Sequence, residues 1–180
     1  MNAVPRSVIR GKETLSFPDD SVRYSMPRWL IDMWNRECGT ENCRRMLRSF
    51  LEERPLMARF CESRASEKEI VSSLEQQGVS AREAAPGSGV YVLSGVDYPE
   101  KLQAFSEGLI QIQDLSSSLA GDAAGIKSGD AILDICGAPG GKGLHAADLL
   151  HGTGMVEIRD INEHKTDMIR ANIDRSGFVN

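Results

Sequence analysis

The spacing of apolar and polar positions divides the chain into three stretches. Apolar residues recur at helical spacing between residues 27 and 51, which predicts two short helices separated by Gly39. Residues 56–113 contain short apolar runs and two helical stretches in the order β-α-β-β-α-β, the split unit of ferredoxin-like and RRM-like folds. From Asp114 onward, strands alternate with helices and the first crossover is glycine-rich. This pattern indicates a parallel, doubly wound α/β sheet.

Capping signals support these elements. Ser66 and Glu69 have the spacing of a capping box, and Asp97 is placed to cap the second helix of the split unit. Asn162 is placed to cap the last helix.

The α/β sheet is short for its class. Two strands fit between residues 131 and 180, whereas sheets of this kind have about five or six. The apolar end of the chain, residues 178–180, has the pattern of a third strand. We therefore expect the chain to be a fragment of a longer protein.

Composition and charge exclude several classes. With 41% hydrophobic and 26% charged residues, the chain is neither collagen-like, nor of low complexity, nor wholly disordered. No apolar run approaches the roughly 18 residues of a membrane span, and the N-terminus lacks the apolar core of a signal peptide. We expect a cytoplasmic protein with no membrane partner.

The formal charge of −5 is uneven, because residues 1–64 carry +3 and residues 65–180 carry −8. A local basic patch that binds nucleic acid is therefore possible only in the N-terminal third. The four cysteines and three histidines have neither disulfide-scaffold nor metal-ligand spacing, which predicts free thiols and no metal site.

The stretch from Cys136 to Lys142 carries the strongest chemical signal. Its glycines let the backbone turn sharply after a strand and approach a ligand closely. The helix that follows offers unpaired N–H groups at its N-terminus. Asp160, at the end of the next strand, is placed to accept hydrogen bonds from ribose hydroxyls. Together they predict a site for a nucleoside-containing cofactor.

Two common nucleotide motifs do not fit. A P-loop needs Ser or Thr after its lysine, where this chain has Gly143. The dinucleotide fingerprint needs Gly-x-Gly, and Pro139 stands where the second glycine belongs. ATP hydrolysis and NAD binding are disfavoured.

The stretch Cys136-Gly137-Ala138-Pro139-Gly140-Gly141-Lys142 closely resembles motif I of the RNA cytosine-C5 methyltransferases, usually Cys-Ala-Ala-Pro-Gly-Gly-Lys, and in particular that of the bacterial Sun/Fmu-type 16S rRNA enzymes. Residues 24–30, 113–117 and 159–165 resemble other segments of this family. This chain departs from the pattern with Gly137 for alanine and Gly143 for threonine. Both exchanges are small for small, so we expect them to be tolerated.

The resemblance implies a domain organisation. Residues 1–25 would be a linker and the tail of a NusB-like RNA-binding domain, although Pro5 interrupts that tail. Residues 26–113 would be a helical pair with an RRM-like subdomain. Residues 114–180 would be the N-terminal half of a Rossmann-like class I methyltransferase domain that binds S-adenosylmethionine.

The resemblance also implies a reaction. Family enzymes transfer a methyl group from S-adenosylmethionine to C5 of a cytosine in RNA, here 16S rRNA, after a cysteine thiolate adds to C6. The nucleophile lies in a Pro-Cys or Thr-Cys motif, and neither occurs in this chain. We therefore expect no catalytic residue within residues 1–180 and no activity from them alone; the full-length enzyme is expected to be a monomer.

By the same resemblance, Cys136 to Lys142 would wrap the methionine and ribose portions of the cofactor, and Asp160 would hold the ribose hydroxyls. Cys136 would pack or line the cofactor pocket and would not attack the base.

Two other functions stay open. The chain could be a noncatalytic RNA-binding module with a vestigial cofactor site, or a nucleotide-dependent oxidoreductase. For Trp29 and Trp34, helical spacing favours a core position over base stacking, and for Tyr91 no RNP consensus supports stacking on RNA. Three arginines have two open interpretations: they could contact RNA phosphates, or they could belong to a solvated helix face. They are Arg44, Arg45 and Arg48.

Overall fold

The structure is a computed structural model that describes Gly11 and residues 16–180. The chain forms two compact units, residues 1–54 and residues 55–180. The expected NusB-like tail falls largely outside the described residues. The predicted domain division after residue 113 stays a prediction, and residues on both sides of it lie in the second unit.

Within residues 16–54, the first unit contains three helices: α1 (Asp20–Arg23), α2 (Arg28–Cys38) and α3 (Thr40–Ser49). Its small core consists of Tyr24, Ile31, Cys43 and Leu47. The chain turns between α2 and α3 at Gly39, whose φ of +81° favours glycine.

The two tryptophans of α2 differ in environment. Trp29 is 67% exposed, so the prediction that it belongs to the core is wrong. The helix instead turns Ile31 toward the buried cluster, and Trp34 is partly buried against it. Helical spacing correctly predicted that α2 has an apolar face, but it did not predict that Ile31 rather than Trp29 lies at the centre of that face.

The second unit begins with a four-stranded sheet of β1 (Leu56–Phe60), β2 (Ser80–Glu83), β3 (Val90–Ser94) and β4 (Ile110–Ile112). The strand order is β2-β3-β1-β4, and every neighbouring pair is antiparallel. Helices α4 (Glu67–Glu75) and α5 (Gln103–Ser106) complete the predicted β-α-β-β-α-β unit. The mixed α/β fold is thereby confirmed.

One cap of this unit is confirmed and one is wrong. Ser66 accepts from the Glu69 backbone, while the Glu69 side chain accepts from the Ser66 backbone, which completes the capping box. Asp97 does not cap a helix. The element that begins here is a 3₁₀ turn at Pro99–Lys101; its N-cap residue is Tyr98, and no side chain caps it.

The sheet core packs against α4 and α5. Phe60 of β1 and Tyr91 of β3 stack with ring centroids 3.8 Å apart and an interplanar angle of 10°. Because side chains alternate across a strand, Arg59 points to the opposite face of the sheet from Phe60.

The remaining elements are α6 (Leu115–Ala123), β5 (Ala131–Asp134), α7 (Gly141–Leu149), β6 (Met155–Ile158) and α8 (Glu163–Ser176). β5 and β6 are parallel, as predicted. Asn162 caps α8 by accepting from the Lys165 backbone, and Gly177 ends the helix.

One detail differs from the expectations. Residues 178–180 do not form a strand; the Asn180 side chain donates to the carbonyls of Ala147 and Thr153 instead. The strands β5 and β6 are only half-buried, and Leu133 and Met155 are more than half exposed. Among residues 16–180, no helix is long and apolar enough to cross a membrane.

Candidate functional site

The loop between β5 and α7, residues 135–140, contains most of motif I. Gly140 precedes the first residue of α7 and has a φ of +112°, which side chains rarely adopt. Its N–H donates to the Gly137 carbonyl. No side chain caps α7, so N–H groups of its first turn are available to a ligand.

An open cleft of about 240 Å³ lies along this loop. One wall is motif I itself, including Cys136 and Lys142. The other wall comes from the junction between β4 and α6 and from the end of β5, and its polar residues are Gln113, Asp114, Ser117 and Asp134. None of these four was predicted from the sequence to be a site residue. The resemblance of residues 113–117 to a family segment was the signal that pointed to three of them.

Three side chains from different elements hold the loop. The Ala138 N–H donates to Asp160 Oδ2 at 3.0 Å. The Pro139 carbonyl accepts from Asn172 Nδ2 of α8 at 2.9 Å. The Gly141 carbonyl accepts a longer hydrogen bond of 3.4 Å from Gln113 Nε2. Residues 138–141 are thus fixed to α8 and to the segments that directly follow β6 and β4.

Asp160 lies where the sequence placed it, after β6, and its side chain is only 6% exposed. Hydrogen bonds from the N–H groups of Ile161 and Ala138 lower the pKa of this carboxyl, and Lys165 Nζ, 3.2 Å away, lowers it further. The carboxylate therefore supports the loop directly. Its predicted contact with ribose stays a prediction.

Cys136 is exposed at the cleft and has a free thiol. Two roles were expected for Cys136. Its exposure does not fit a packing role but fits a role in lining the cleft. Its backbone N–H donates to Asp134 Oδ1 at 3.3 Å.

Gly137 and Gly143, the two departures from the usual motif, share one neighbour. A Cβ atom at Gly137 would overlap Cγ2 of Ile158, and one at Gly143 would lie 2.6 Å from Cγ1 of the same side chain. The small residues are therefore accommodated because Ile158 fills the space. Their size matters in this chain because a side chain at either position would meet Ile158.

His145 is buried in α7 beside the sheet. Desolvation lowers its pKa to about 4, and the charge of Arg59 acts in the same direction. Its Nε2 lies 3.5 Å from Asp122, and its Nδ1 has no hydrogen-bond partner. No group of three or more potential metal ligands occurs among residues 16–180.

The residues considered for RNA contacts differ in their surroundings. Tyr91 is buried, and desolvation raises the pKa of its hydroxyl. Arg44 pairs with Asp20 at 3.1 Å. Arg45 and Arg48 are exposed.

Comparison with known proteins identifies the family that this chain resembles. The family described as 16S rRNA methyltransferase RsmB/F matches residues 124–180. The probable ribosomal RNA small subunit methyltransferase B of Bacillus subtilis is 30% identical and is aligned over 99% of this chain and 41% of its own length. The corresponding protein of Vibrio cholerae is 28% identical over 97% of this chain and 41% of its own length. The chain thus spans about two fifths of these curated relatives.

Solved structures share the fold. A methyltransferase homolog protein from Pyrococcus horikoshii superposes with a TM-score of 0.77, at 24% identity, over 89% of this chain and 52% of its own. NSun6 from Pyrococcus horikoshii, solved with SFG, gives a TM-score of 0.76 at 17% identity over 86% of this chain and 64% of its own. The family resemblance inferred from motif I is confirmed.

Proposed function

We propose that the chain is part of an S-adenosylmethionine-dependent enzyme that methylates 16S rRNA. Residues 124–180 match the 16S rRNA methyltransferase RsmB/F family, and nearly the whole chain aligns with a probable ribosomal RNA small subunit methyltransferase B. The observation that carries the proposal is the motif I loop, fixed by Asp160, Asn172 and Gln113 beside an open cleft.

The residues around this cleft suit the proposed cofactor. Uncapped N–H groups of α7 can bind a carboxylate, and glycines at the loop let a ligand approach the backbone. Asp114 and Asp134 line the same cleft and suit an ammonium group or hydroxyls. NSun6 was solved with SFG, an analogue of S-adenosylmethionine, which supports this choice of cofactor.

In the proposal, residues 136–142 and Asp160 form part of the cofactor site. The loop carries the contacts to the methionine and ribose portions, and Asp160 holds the loop at Ala138 and contributes an acceptor toward the ribose. When bound, the cofactor supplies an electrophilic methyl group.

The proposed methyl acceptor is C5 of a cytosine. A cysteine thiolate adds to C6, which makes C5 nucleophilic enough to take the methyl group. A base then removes the C5 proton, the C5–C6 double bond re-forms and the thiolate leaves. We assign that cysteine to a segment outside residues 1–180, so residues 1–180 alone are proposed to be inactive. The rRNA substrate agrees with the expected cytoplasmic location, which stays a prediction.

The first test measures binding of S-adenosylhomocysteine and S-adenosylmethionine to the protein that contains this chain, by calorimetry. A methylation assay on 16S rRNA then uses radiolabelled S-adenosylmethionine, and bisulfite sequencing locates any 5-methylcytosine. Cofactor binding with labelled 5-methylcytosine supports the proposal. Binding of 16S rRNA without any cofactor affinity would instead favour the noncatalytic RNA-binding module, and preference for NAD would favour the oxidoreductase.

A further inference from the structure

The orientation of two side-chain amides at the motif I loop is set by arginines. In the first pair, Arg59 Nε donates to Gln113 Oε1 at 3.0 Å. Gln113 Nε2, on the other side of the amide, faces the Gly141 carbonyl. Gln113 is nearly buried, so the choice of its orientation has an energetic consequence.

The second pair has the same form. Arg175 Nη2 donates to Asn172 Oδ1 at 3.2 Å, and Nε approaches the same oxygen at 3.4 Å. Asn172 Nδ2 then donates to the Pro139 carbonyl at 2.9 Å.

Arginine determines these orientations because its guanidinium has only donors. It must face the oxygen of each amide, so the amide nitrogen must face the loop carbonyl. If the amide turned over, N–H would face N–H at the arginine and oxygen would face oxygen at the loop. A neutral neighbour able to accept hydrogen bonds would not impose this choice.

Both arginines connect the four-stranded part of the unit to a helix that follows it, Arg59 to α7 and Arg175 from α8. Arg59 lies on β1, is 3% exposed and forms a buried ion pair with Asp148 of α7. Arg175 lies 3.9 Å above the ring of Phe105 and donates to the Phe105 carbonyl. Neither Arg59 nor Arg175 lines the cleft itself.

We propose that Arg59 and Arg175 are positioning residues for the cofactor loop. Each arginine fixes one amide, and the two amides fix the carbonyls of Gly141 and Pro139. The loop is thereby held in the shape that keeps the first N–H groups of α7 directed to the ligand. This inference rests on the proposed cofactor site, and it adds residues that lie outside the cleft.

The test replaces each amide by the carboxylate of the same shape. Gln113→Glu and Asn172→Asp keep an acceptor for the arginine but place a second oxygen against a loop carbonyl. Gln111→Glu is the matched control: Gln111 also accepts from Arg175, but its nitrogen donates to Ser176 Oγ. This hydroxyl can give up its bond to the Asn172 backbone carbonyl and donate to the new carboxylate instead. The probe is S-adenosylhomocysteine, and the protein is the one that contains this chain.

We expect Gln113→Glu and Asn172→Asp each to raise the Kd for S-adenosylhomocysteine about tenfold, as for the loss of a hydrogen bond and its replacement by repulsion. Gln111→Glu should change it by less than about twofold. Amide hydrogen exchange at Lys142 should become faster in the first two variants and not in the control, a result that does not depend on cofactor.

A second experiment tests Arg175. Arg175 takes part in no ion pair among the residues that the structure describes, so Arg175→Met leaves no buried charge unpaired. If Arg175 acts through Asn172, then Asn172→Leu combined with Arg175→Met should bind S-adenosylhomocysteine as Asn172→Leu does alone. Fully additive losses would overturn the inference.

The outcomes separate the two proposals. If the unaltered protein binds no S-adenosylhomocysteine, the proposed function fails, and the assignment to cofactor positioning fails with it. If it binds but the two amide variants behave like Gln111→Glu, the inference alone is wrong.

Discussion

The side chain of Ile158, at the end of β6, occupies the space in which a Cβ atom at Gly137 would lie. Gly137 is buried, so an added methyl group has no open direction in which to move. We expect Gly137→Ala to lower the free energy of unfolding by about 1–3 kcal/mol, the usual effect of overpacking. Urea unfolding of the protein measures this change.

Ile158→Ala supplies the compensating change. Because it removes the overlapping methyl group, Gly137→Ala should cost less in an Ile158→Ala background than in the original chain. Gly141→Ala is the control for an added methyl group alone, since its Cβ would meet only Gln113 Nε2, at 3.9 Å. Additive effects of the Gly137 and Ile158 substitutions would contradict the packing argument.

Asp160 links β6 to the loop through Ala138. Asp160→Asn keeps the shape, but one of its two oxygens becomes an amide nitrogen, which cannot accept from both the Ala138 and the Ile161 N–H groups. The variant also loses the charge that pairs with Lys165, so we expect cofactor affinity to fall about tenfold, as for loss of a charged hydrogen-bonding group. Calorimetry with S-adenosylhomocysteine measures it. Lys165→Met removes the ion pair but leaves the hydrogen bond between Asp160 and the Ala138 N–H. If that hydrogen bond holds the loop, Lys165→Met should lower cofactor affinity less than Asp160→Asn does.

The pH dependence of Asp160 follows from the same contacts. Its pKa is lowered in the folded protein, so its stabilising contribution is present above the ordinary carboxyl pKa and is lost as the pH falls through the lowered value. The difference in unfolding free energy between the original protein and Asp160→Asn should therefore shrink below about pH 4. A difference that is constant down to pH 2 would contradict this assignment.

The sequence predicted what local chemistry determines. The capping box at Ser66, the cap at Asn162 and the parallel pair β5 and β6 depend on short-range signals, and the structure contains each of them. The motif I residues were predicted to form a site because their types and order are specific to one kind of loop.

What the sequence missed depends on contacts between distant segments. Gln113 lies at the cleft because β4 ends beside α7, and Trp29 is exposed because α2 turns another residue inward. Arg59 and Asp148 are 89 positions apart, and neither belongs to a motif, so no periodicity or spacing could have paired them.

The pair of Arg59 and Asp148 is the buried ion pair of this unit. Ser63 also binds Asp148, through its backbone N–H at 3.2 Å. Asp148→Ala leaves Arg59 buried without a countercharge, and we expect it to lower the free energy of unfolding by about 3–5 kcal/mol. Arg59→Met combined with Asp148→Leu should be less destabilising than Asp148→Ala, because no charge is then left unpaired. Denaturant unfolding of both variants decides this, and equal losses would contradict the explanation.

His145 gives the chain a second, separable pH dependence. Its folded-state pKa of about 4 lies below the ordinary histidine value of 6.5, so the unfolded chain binds a proton that the folded protein excludes. Stability should therefore fall as the pH is lowered from about 6.5 to about 4 and change no further through this group below that. His145→Gln removes the group that titrates. The free energy of unfolding of this variant should therefore vary less between about pH 4 and pH 6.5 than that of the original protein. Parallel curves would show that His145 is protonated equally in both states, and NMR titration of its Cε1 proton would then have to give a pKa near the ordinary value.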